Sequence, residues 1–150
     1  MTHEAQRLEE FLDGTAVRLS PDRTVRLREL LEFWAQDVAR LAAETEGAVE
    51  GSGRSGRWNA YDMAGALYVR DRVEREIEAA PEELREALAL AVRGADERYR
   101  SFTEDDPRML VARNAGDKVE DQGWWWKRLP VAGPVRDDAL EYGRWLDTDG

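Results

Sequence analysis

The 150-residue sequence contains no cysteine and only one histidine, His3. Without cysteine the chain can form no disulfide, no zinc–thiolate site and no thiol nucleophile. A single histidine near the N-terminus excludes a metal ion held by several imidazoles, and it leaves the body of the chain without a histidine base. Catalysis by a thiol or an imidazole is therefore excluded, whereas paired carboxylates could still support an enzyme.

Long apolar runs are also absent, because the longest one extends only from Ala87 to Val92. This run is far too short to cross a bilayer, for which about 20 residues are needed. Residues 1–10 lack a basic segment followed by an apolar one, so they do not have the pattern of a secretory signal. We expect a cytoplasmic protein that does not bind membranes.

The charge is strongly acidic, with 22 Lys+Arg against 32 Asp+Glu and a net charge of −10. A field of this sign opposes binding to nucleic acid or anionic lipid, and it favours a basic protein partner or simple solubility. The length and a hydrophobic content of 42% are typical of one globular domain, here residues 1–150. The oligomeric state is left open.

Hydrophobic residues recur at helical spacing through most of the chain, and no alternating strand pattern is present. At the first strong helix start, Ser20 can cap and Pro21 can occupy the first helical position. The sequence therefore predicts an all-α bundle of about four main helices, with an extended Trp-rich strap over 117–134 and a short final helix. The predicted helices are 4–12, 21–46, 59–80, 82–102, 107–114 and 136–146. The residues predicted to share the core are Leu30, Trp34, Val38, Leu67, Val73, Leu88, Val92 and Tyr99.

Residues 47–57 are rich in Gly, Ser and Arg, and we predict a flexible loop between two helices. Within it, Gly51–Gly56 matches the G-x-G-x-x-G letters of a dinucleotide-binding turn. Such a turn needs a buried strand before the glycines, whereas a charged helix end precedes them here. Acidic clusters elsewhere lack the spacing of cation ligands, so we predict no metal site and no cofactor.

The most unusual stretch is the tryptophan segment, residues 123–130, with three adjacent indoles at Trp124, Trp125 and Trp126. In an extended backbone the first and third would face one way and the second the other. We therefore expect Trp125 to be exposed. The alternative is a structural clamp, in which two rings attach the strap to the bundle and the third lies over an arginine. Because Trp and Arg dominate binding hot spots, this segment is the predicted partner-binding surface. Its residues are Trp124, Trp125, Trp126, Lys127 and Arg128.

A second set of residues, which lie in the predicted helix 59–80 and just before it, could line a small-molecule pocket. Aromatic rings surrounded by acids would suit a cationic or sugar-like ligand. In the same helix, Arg70 lies near the apolar stripe and needs an acidic partner such as Asp62 or Asp96. The pocket residues are Trp58, Tyr61, Tyr68, Arg70 and Asp71.

No motif in the chain identifies a named family. The profile of a small, acidic helical domain with a Trp/Arg patch is similar to that of many bacterial immunity and inhibitor proteins, which cover the surface of a basic toxin. This similarity implies a non-enzymatic protein that binds a basic protein partner. The alternative is a helical bundle that binds a small molecule in an aromatic pocket, with possible enzymatic activity.

Overall fold

A computed structural model describes residues 2–49, 58–116 and 123–149. Over these residues the chain is mostly helical, which confirms the predicted class, and two small sheets accompany the helices. The α-helices are α1 (His3–Gly14), α2 (Leu27–Val49), α3 (Ala60–Ala79), α4 (Glu82–Ser101), α5 (Leu110–Asn114) and α6 (Pro134–Asp149). The strands are β1 (Ala16–Ser20), β2 (Arg23–Arg26), β3 (Thr103–Asp105) and β4 (Arg128–Pro130).

Helices α3 and α4 start and end within two residues of their predicted bounds, and local sequence signals explain why. Asn59 caps α3 by accepting a hydrogen bond from the backbone N–H of Asp62 (3.0 Å), and the Asp62 carboxylate accepts the Asn59 N–H in return (2.9 Å). This reciprocal capping box satisfies two donors at the helix start. Helix α4 follows Pro81 and places acids in its first turn and arginines in its last, in agreement with the helix dipole.

The region around Ser20 corrects the prediction, because it forms a hairpin and not a helix start. Strands β1 and β2 pair antiparallel with Val17 opposite Val25, and both valines are buried. Pro21 lies in the connecting turn, where its fixed φ is as suitable as at a first helical position. Helix α2 therefore starts at Leu27, six residues later than predicted.

A second small sheet joins the tryptophan segment to the end of α4. Strand β3 follows α4 and pairs antiparallel with β4, with Thr103 opposite Pro130 and Asp105 opposite Arg128. The prediction that the chain has no strands is therefore wrong at two places. Both sheets have only two short strands, so they add local connections and leave the helical class unchanged.

Two of the predicted irregular segments are only partly described. Helix α2 continues through Gly47 to Val49, so the predicted loop starts later than residue 47. The rest of that loop, including the glycine motif at 51–56, lies outside the described residues. Residues 117–122 of the predicted strap also lie outside them.

The core draws on residues from α1 to α6 and on the two sheets. All eight predicted core residues are buried. The polar residue Asp138 on α6 accepts a hydrogen bond from the backbone N–H of Ala60 (2.8 Å), which links α6 to the start of α3. Among the described helices, none combines the length and apolar character needed to span a membrane.

Candidate functional site

Trp124–Lys127 form one turn of 3₁₀ helix, not an extended strand. A 3₁₀ turn contains about three residues, so adjacent side chains do not alternate between two faces as they do in a strand. Trp125 is 5% exposed and Trp126 is fully buried, whereas Trp124 is half-buried. The prediction that Trp125 is the exposed ring is therefore wrong.

A single carboxylate oxygen holds the two buried indoles on α3. Asp71 Oδ1 accepts a hydrogen bond from Trp125 Nε1 (2.7 Å) and another from Trp126 Nε1 (2.9 Å). Buried indole N–H groups need an acceptor, and here one aspartate supplies it for both. Asp71 is thus one of the residues of α3 that fix the 3₁₀ turn in place.

Arg70, the neighbour of Asp71, is 4% exposed and has a full set of partners. Its Nε and Nη2 atoms donate to the two carboxylate oxygens of Asp96 (2.9 and 3.0 Å), which confirms one of the two predicted partners. Its Nη1 atom donates to Glu74 (3.1 Å), and its guanidinium lies 4.3 Å from the centre of the Trp125 ring. A buried arginine with a bidentate acid and an aromatic face is compensated for its lost hydration.

The network continues into the core through Asp96, which also accepts a hydrogen bond from Trp34 Nε1 (2.9 Å). The Tyr99 hydroxyl donates to the Trp125 carbonyl (2.7 Å), and burial raises the pKa of this phenol above its usual value. Arg100 lies 3.7 Å from the centre of the Trp124 ring, so one indole is indeed covered by an arginine. These contacts attach the tryptophan segment to α4 as well as to α3.

The two basic residues of the predicted partner-binding surface have different surroundings. Arg128 donates to the hydroxyl and carbonyl of Thr103 (2.8 and 2.7 Å) and pairs with Asp105 (3.0 Å). Lys127 is exposed, and its ammonium makes no ion pair with the described residues. Of the five residues from Trp124 to Arg128, only Lys127 is fully available to a partner.

The predicted small-molecule residues divide into two groups. Tyr68 packs edge-on against Trp126 with ring centroids 5.1 Å apart, so it joins Arg70 and Asp71 around the tryptophan segment. Trp58 lies elsewhere, with the Arg40 guanidinium 5.6 Å from its ring, and Tyr61 is 63% exposed. The rings nearest to Arg70 and Asp71 are those of the chain's own tryptophans.

The sequence interpretation missed an exposed aromatic pair, Tyr142 and Trp145 on α6. Their rings are stacked with centroids 5.7 Å apart and an interplanar angle of 24°, and Trp145 is 56% exposed. The Tyr142 hydroxyl donates to the carbonyl of Arg113 (3.2 Å) at the end of α5. The spacing of apolar residues on α6 offered one sequence signal for this pair. Val135 and Ala139 lie on the buried stripe of the helix, and Trp145 lies off that stripe, which indicates an exposed ring.

Two carboxylates lie on the same face of α6 as the aromatic pair. Asp137 and Glu141 precede Trp145 by eight and four positions, so the three share one helical stripe. Both acids are exposed, and neither makes an ion pair with the described residues. By contrast, Asp147 on the same helix pairs with Arg108 (2.8 Å).

Comparison with known proteins identifies no relative from which a role could be transferred. No protein-family profile matches the chain, and neither a curated protein nor a solved structure is significantly similar to it. Within the described ranges, no group of three or more His, Asp or Glu side chains is placed to hold a metal ion. The exposed face of α6 is therefore our candidate binding surface.

Proposed function

We propose that this chain is a non-enzymatic binding protein that engages a basic protein partner through the α6 face, defined by Asp137, Glu141, Tyr142 and Trp145. The observation that carries the proposal is the 56% exposed Trp145 ring, stacked on Tyr142 beside two carboxylates that pair with no described residue. A large exposed aromatic residue on a charged helix is the composition expected of an interface centre with a polar rim.

The aromatic pair is suited to binding because it is held in place before a partner arrives. The hydrogen bond from the Tyr142 hydroxyl to the Arg113 carbonyl fixes the Tyr142 ring. Stacking on this ring restricts the rotation of the Trp145 side chain. Ordering a side chain on binding costs roughly 0.5–1.5 kcal/mol, and this arrangement removes part of that cost. The apolar area that a partner would bury on this pair is therefore offset by a smaller loss of side-chain entropy.

Charge supports a basic partner for this face. The net charge of −10 attracts a basic protein at long range and increases the association rate. At contact, Asp137 and Glu141 can accept hydrogen bonds from arginine or lysine side chains without first breaking an ion pair to the described residues. The most concrete version of the proposal is an inhibitor or immunity protein that covers a basic surface.

The tryptophan segment is less suited to this role than the α6 face. Trp125, Trp126 and Arg128 direct their polar atoms to their own chain, as the bonds to Asp71 and Thr103 show. Binding a partner with these groups would first break those bonds. We therefore place the recognition surface on α6.

The proposal can be tested with immobilised protein and a lysate of the source cell at low salt, which should retain a basic protein. We expect the dissociation constant of the purified pair to rise about 30-fold or more for Trp145→Ala, as for a hot-spot residue. The matched control is Leu90→Ala, since Leu90 on α4 is also 56% exposed. This control should leave the dissociation constant nearly unchanged.

Charge variants test the second part of the proposal. Asp137→Asn and Glu141→Gln should reduce the association rate, and the reduction should shrink as salt is raised. If no basic protein is retained at low salt, or if Trp145→Ala binds the retained protein as tightly as the wild type, the proposal is wrong.

A further inference from the structure

A cleft of about 560 Å³ lies where the turn after β3 meets the 3₁₀ turn of the tryptophan segment. This volume is in the range of small-molecule sites, roughly 300–1,000 Å³. None of the described residues that line the cleft belongs to the α6 face, and the proposed function does not involve the cleft. The described residues that line it are Asp105, Asp106, Pro107, Met109 and Lys127.

One wall of the cleft has an unusual backbone conformation. Met109 has φ 50° and ψ 50°, in the left-handed region that side chains with a Cβ rarely adopt. Hydrogen bonds hold the turn closed, since the Met109 N–H donates to the Asp106 carbonyl (3.1 Å) and the Asp106 carboxylate accepts the N–H groups of Arg108 and Leu110 (3.2 and 2.8 Å). Such strained residues occur most often at functional sites, where the surrounding structure imposes them.

Among the described residues that line the cleft, Lys127 is the one charged side chain with no hydrogen bond or ion pair. Both oxygens of the buried Asp106 carboxylate are occupied within the turn, and Asp105 pairs with Arg128 (3.0 Å). The ammonium of Lys127 makes no hydrogen bond or ion pair with the described residues. Lys127 is therefore the charge at the cleft that a ligand can engage without replacing a described contact, although Asp105 is 91% exposed and the protein as a whole is acidic.

We propose that this cleft binds a small organic anion, with a flat apolar body against Pro107 and Met109 and a carboxylate or sulfonate at Lys127. The flexible, polarisable methionine side chain adapts to aromatic rings and gives favourable sulfur–ring contacts. The anion pairs with Lys127 as a point charge. Because the net charge of the protein repels anions, binding depends on this one ammonium.

The probe for this site is 2-naphthoate, titrated into the full ¹⁵N-labelled chain, with the uncharged 2-naphthalenemethanol as its matched analogue. We expect 2-naphthoate to shift the amide signals of Asp105, Asp106, Met109 and Lys127, and to bind more tightly than the alcohol. Lys127→Gln should weaken 2-naphthoate about tenfold and leave the alcohol unchanged, since a charge-assisted contact is lost. Lys127→Arg should retain binding.

Arg75→Gln is the charge control, because Arg75 is an exposed cation on α3 and its loss changes the net charge by the same amount. It should leave the affinity for 2-naphthoate nearly unchanged. Three outcomes would each overturn the proposal. They are no binding up to the solubility limit of the probe, shifts confined to another region, and equal affinity in Lys127→Gln and the wild type.

Discussion

Two aromatic clusters of this protein both contain tryptophan and tyrosine, but they differ in burial and in the hydrogen bonds that their indole N–H groups make within the chain. In the tryptophan segment, the indole N–H groups of Trp125 and Trp126 both donate to Asp71, and the rings are buried. In the α6 face, the indole N–H of Trp145 donates to no described residue, and the ring is mostly exposed. Tryptophan content alone would favour the tryptophan segment as the binding surface. The hydrogen-bond partners of the indole N–H groups favour the α6 face instead.

The difference indicates how a tryptophan acts in each place. An indole whose N–H and both faces have partners in the fold contributes area and hydrogen bonding to stability. An indole stacked on one face only keeps the other face and its N–H for another molecule. The comparison therefore predicts large stability effects in the tryptophan segment and small ones on α6.

The largest expected effect is that of Trp126→Ala, which removes a fully buried side chain. Loss of transfer energy and the cavity left behind should lower the free energy of unfolding by about 3–5 kcal/mol. Urea denaturation followed by circular dichroism measures this change. A decrease below about 1 kcal/mol would show that the ring is not packed as described.

Asp96→Ala should have a similar or slightly smaller effect, because it removes the acid that pairs with the buried Arg70. Breaking a buried ion pair by removing one partner costs about 3–5 kcal/mol. Glu74 still pairs with Arg70, so we expect a loss at the lower end of this range, although the Trp34 N–H also loses its acceptor. The matched control is Glu97→Ala, the next residue on α4, whose partner Arg93 is exposed. Its free energy of unfolding should change by less than about 1 kcal/mol.

Asp71→Ala tests the shared acceptor directly, and its effect should be of the same order as that of Asp96→Ala. Two indole N–H groups would lose their only described acceptor, at a cost of about 1–3 kcal/mol for each buried donor left unpaired. Asp71→Asn keeps a side-chain oxygen at this position, so it should restore much of the loss. Equal destabilisation by both variants would argue against acceptance by this oxygen.

The pH of these measurements matters because burial raises the pKa of Asp37 from 3.8 to about 6. The folded state holds this proton more tightly than the unfolded state, so stability falls as the pH rises from about 4 to 6 and is then constant. Asp37→Asn should therefore raise the free energy of unfolding at pH 8, by about 1 kcal/mol for this partly exposed group, and have little effect near pH 4. An equal effect at both pH values would exclude the ionised carboxylate as the cause.

The smallest expected effect is that of Trp145→Ala, which should change the free energy of unfolding by no more than about 0.5 kcal/mol. The ring contacts Tyr142 but fills no core position. Urea denaturation of this variant beside Trp126→Ala gives the contrast between the two clusters in one experiment. A loss above about 2 kcal/mol would make Trp145 part of the fold and weaken its assignment to a binding surface.

The helices could be predicted where local signals were unambiguous. The apolar spacing of α4 and the capping pair of Asn59 and Asp62 locate two helices closely, because periodicity and capping act within a few residues. The turn at Pro21 could not be predicted, since proline suits a hairpin turn and a helix start equally well. The pairing that decides between them, Val17 with Val25, involves burial against distant elements.

The contacts of the tryptophan segment were harder to predict than the helices. The need of a buried cation for an acid predicts a partner for Arg70 and leaves Asp62 and Asp96 as candidates. The acceptance of two indole N–H groups by Asp71 could not be predicted, because the partners are far apart in sequence. The exposure of Trp125 was predicted wrongly from an assumed extended backbone. The 3₁₀ turn was not visible in the pattern of three identical residues.

The shared acceptor at Asp71 also has a consequence for the order of folding. Trp125 and Trp126 lie 54 and 55 positions after Asp71, so these bonds close a long loop that contains α4 and α5. Closing such a loop loses chain entropy before any contact compensates for it, whereas helical turns and i,i+4 ion pairs form between near neighbours. We therefore expect the bonds to Asp71 to form late, after the turns of α3 and α4, and to add stability to a helical arrangement that more local contacts have begun to assemble.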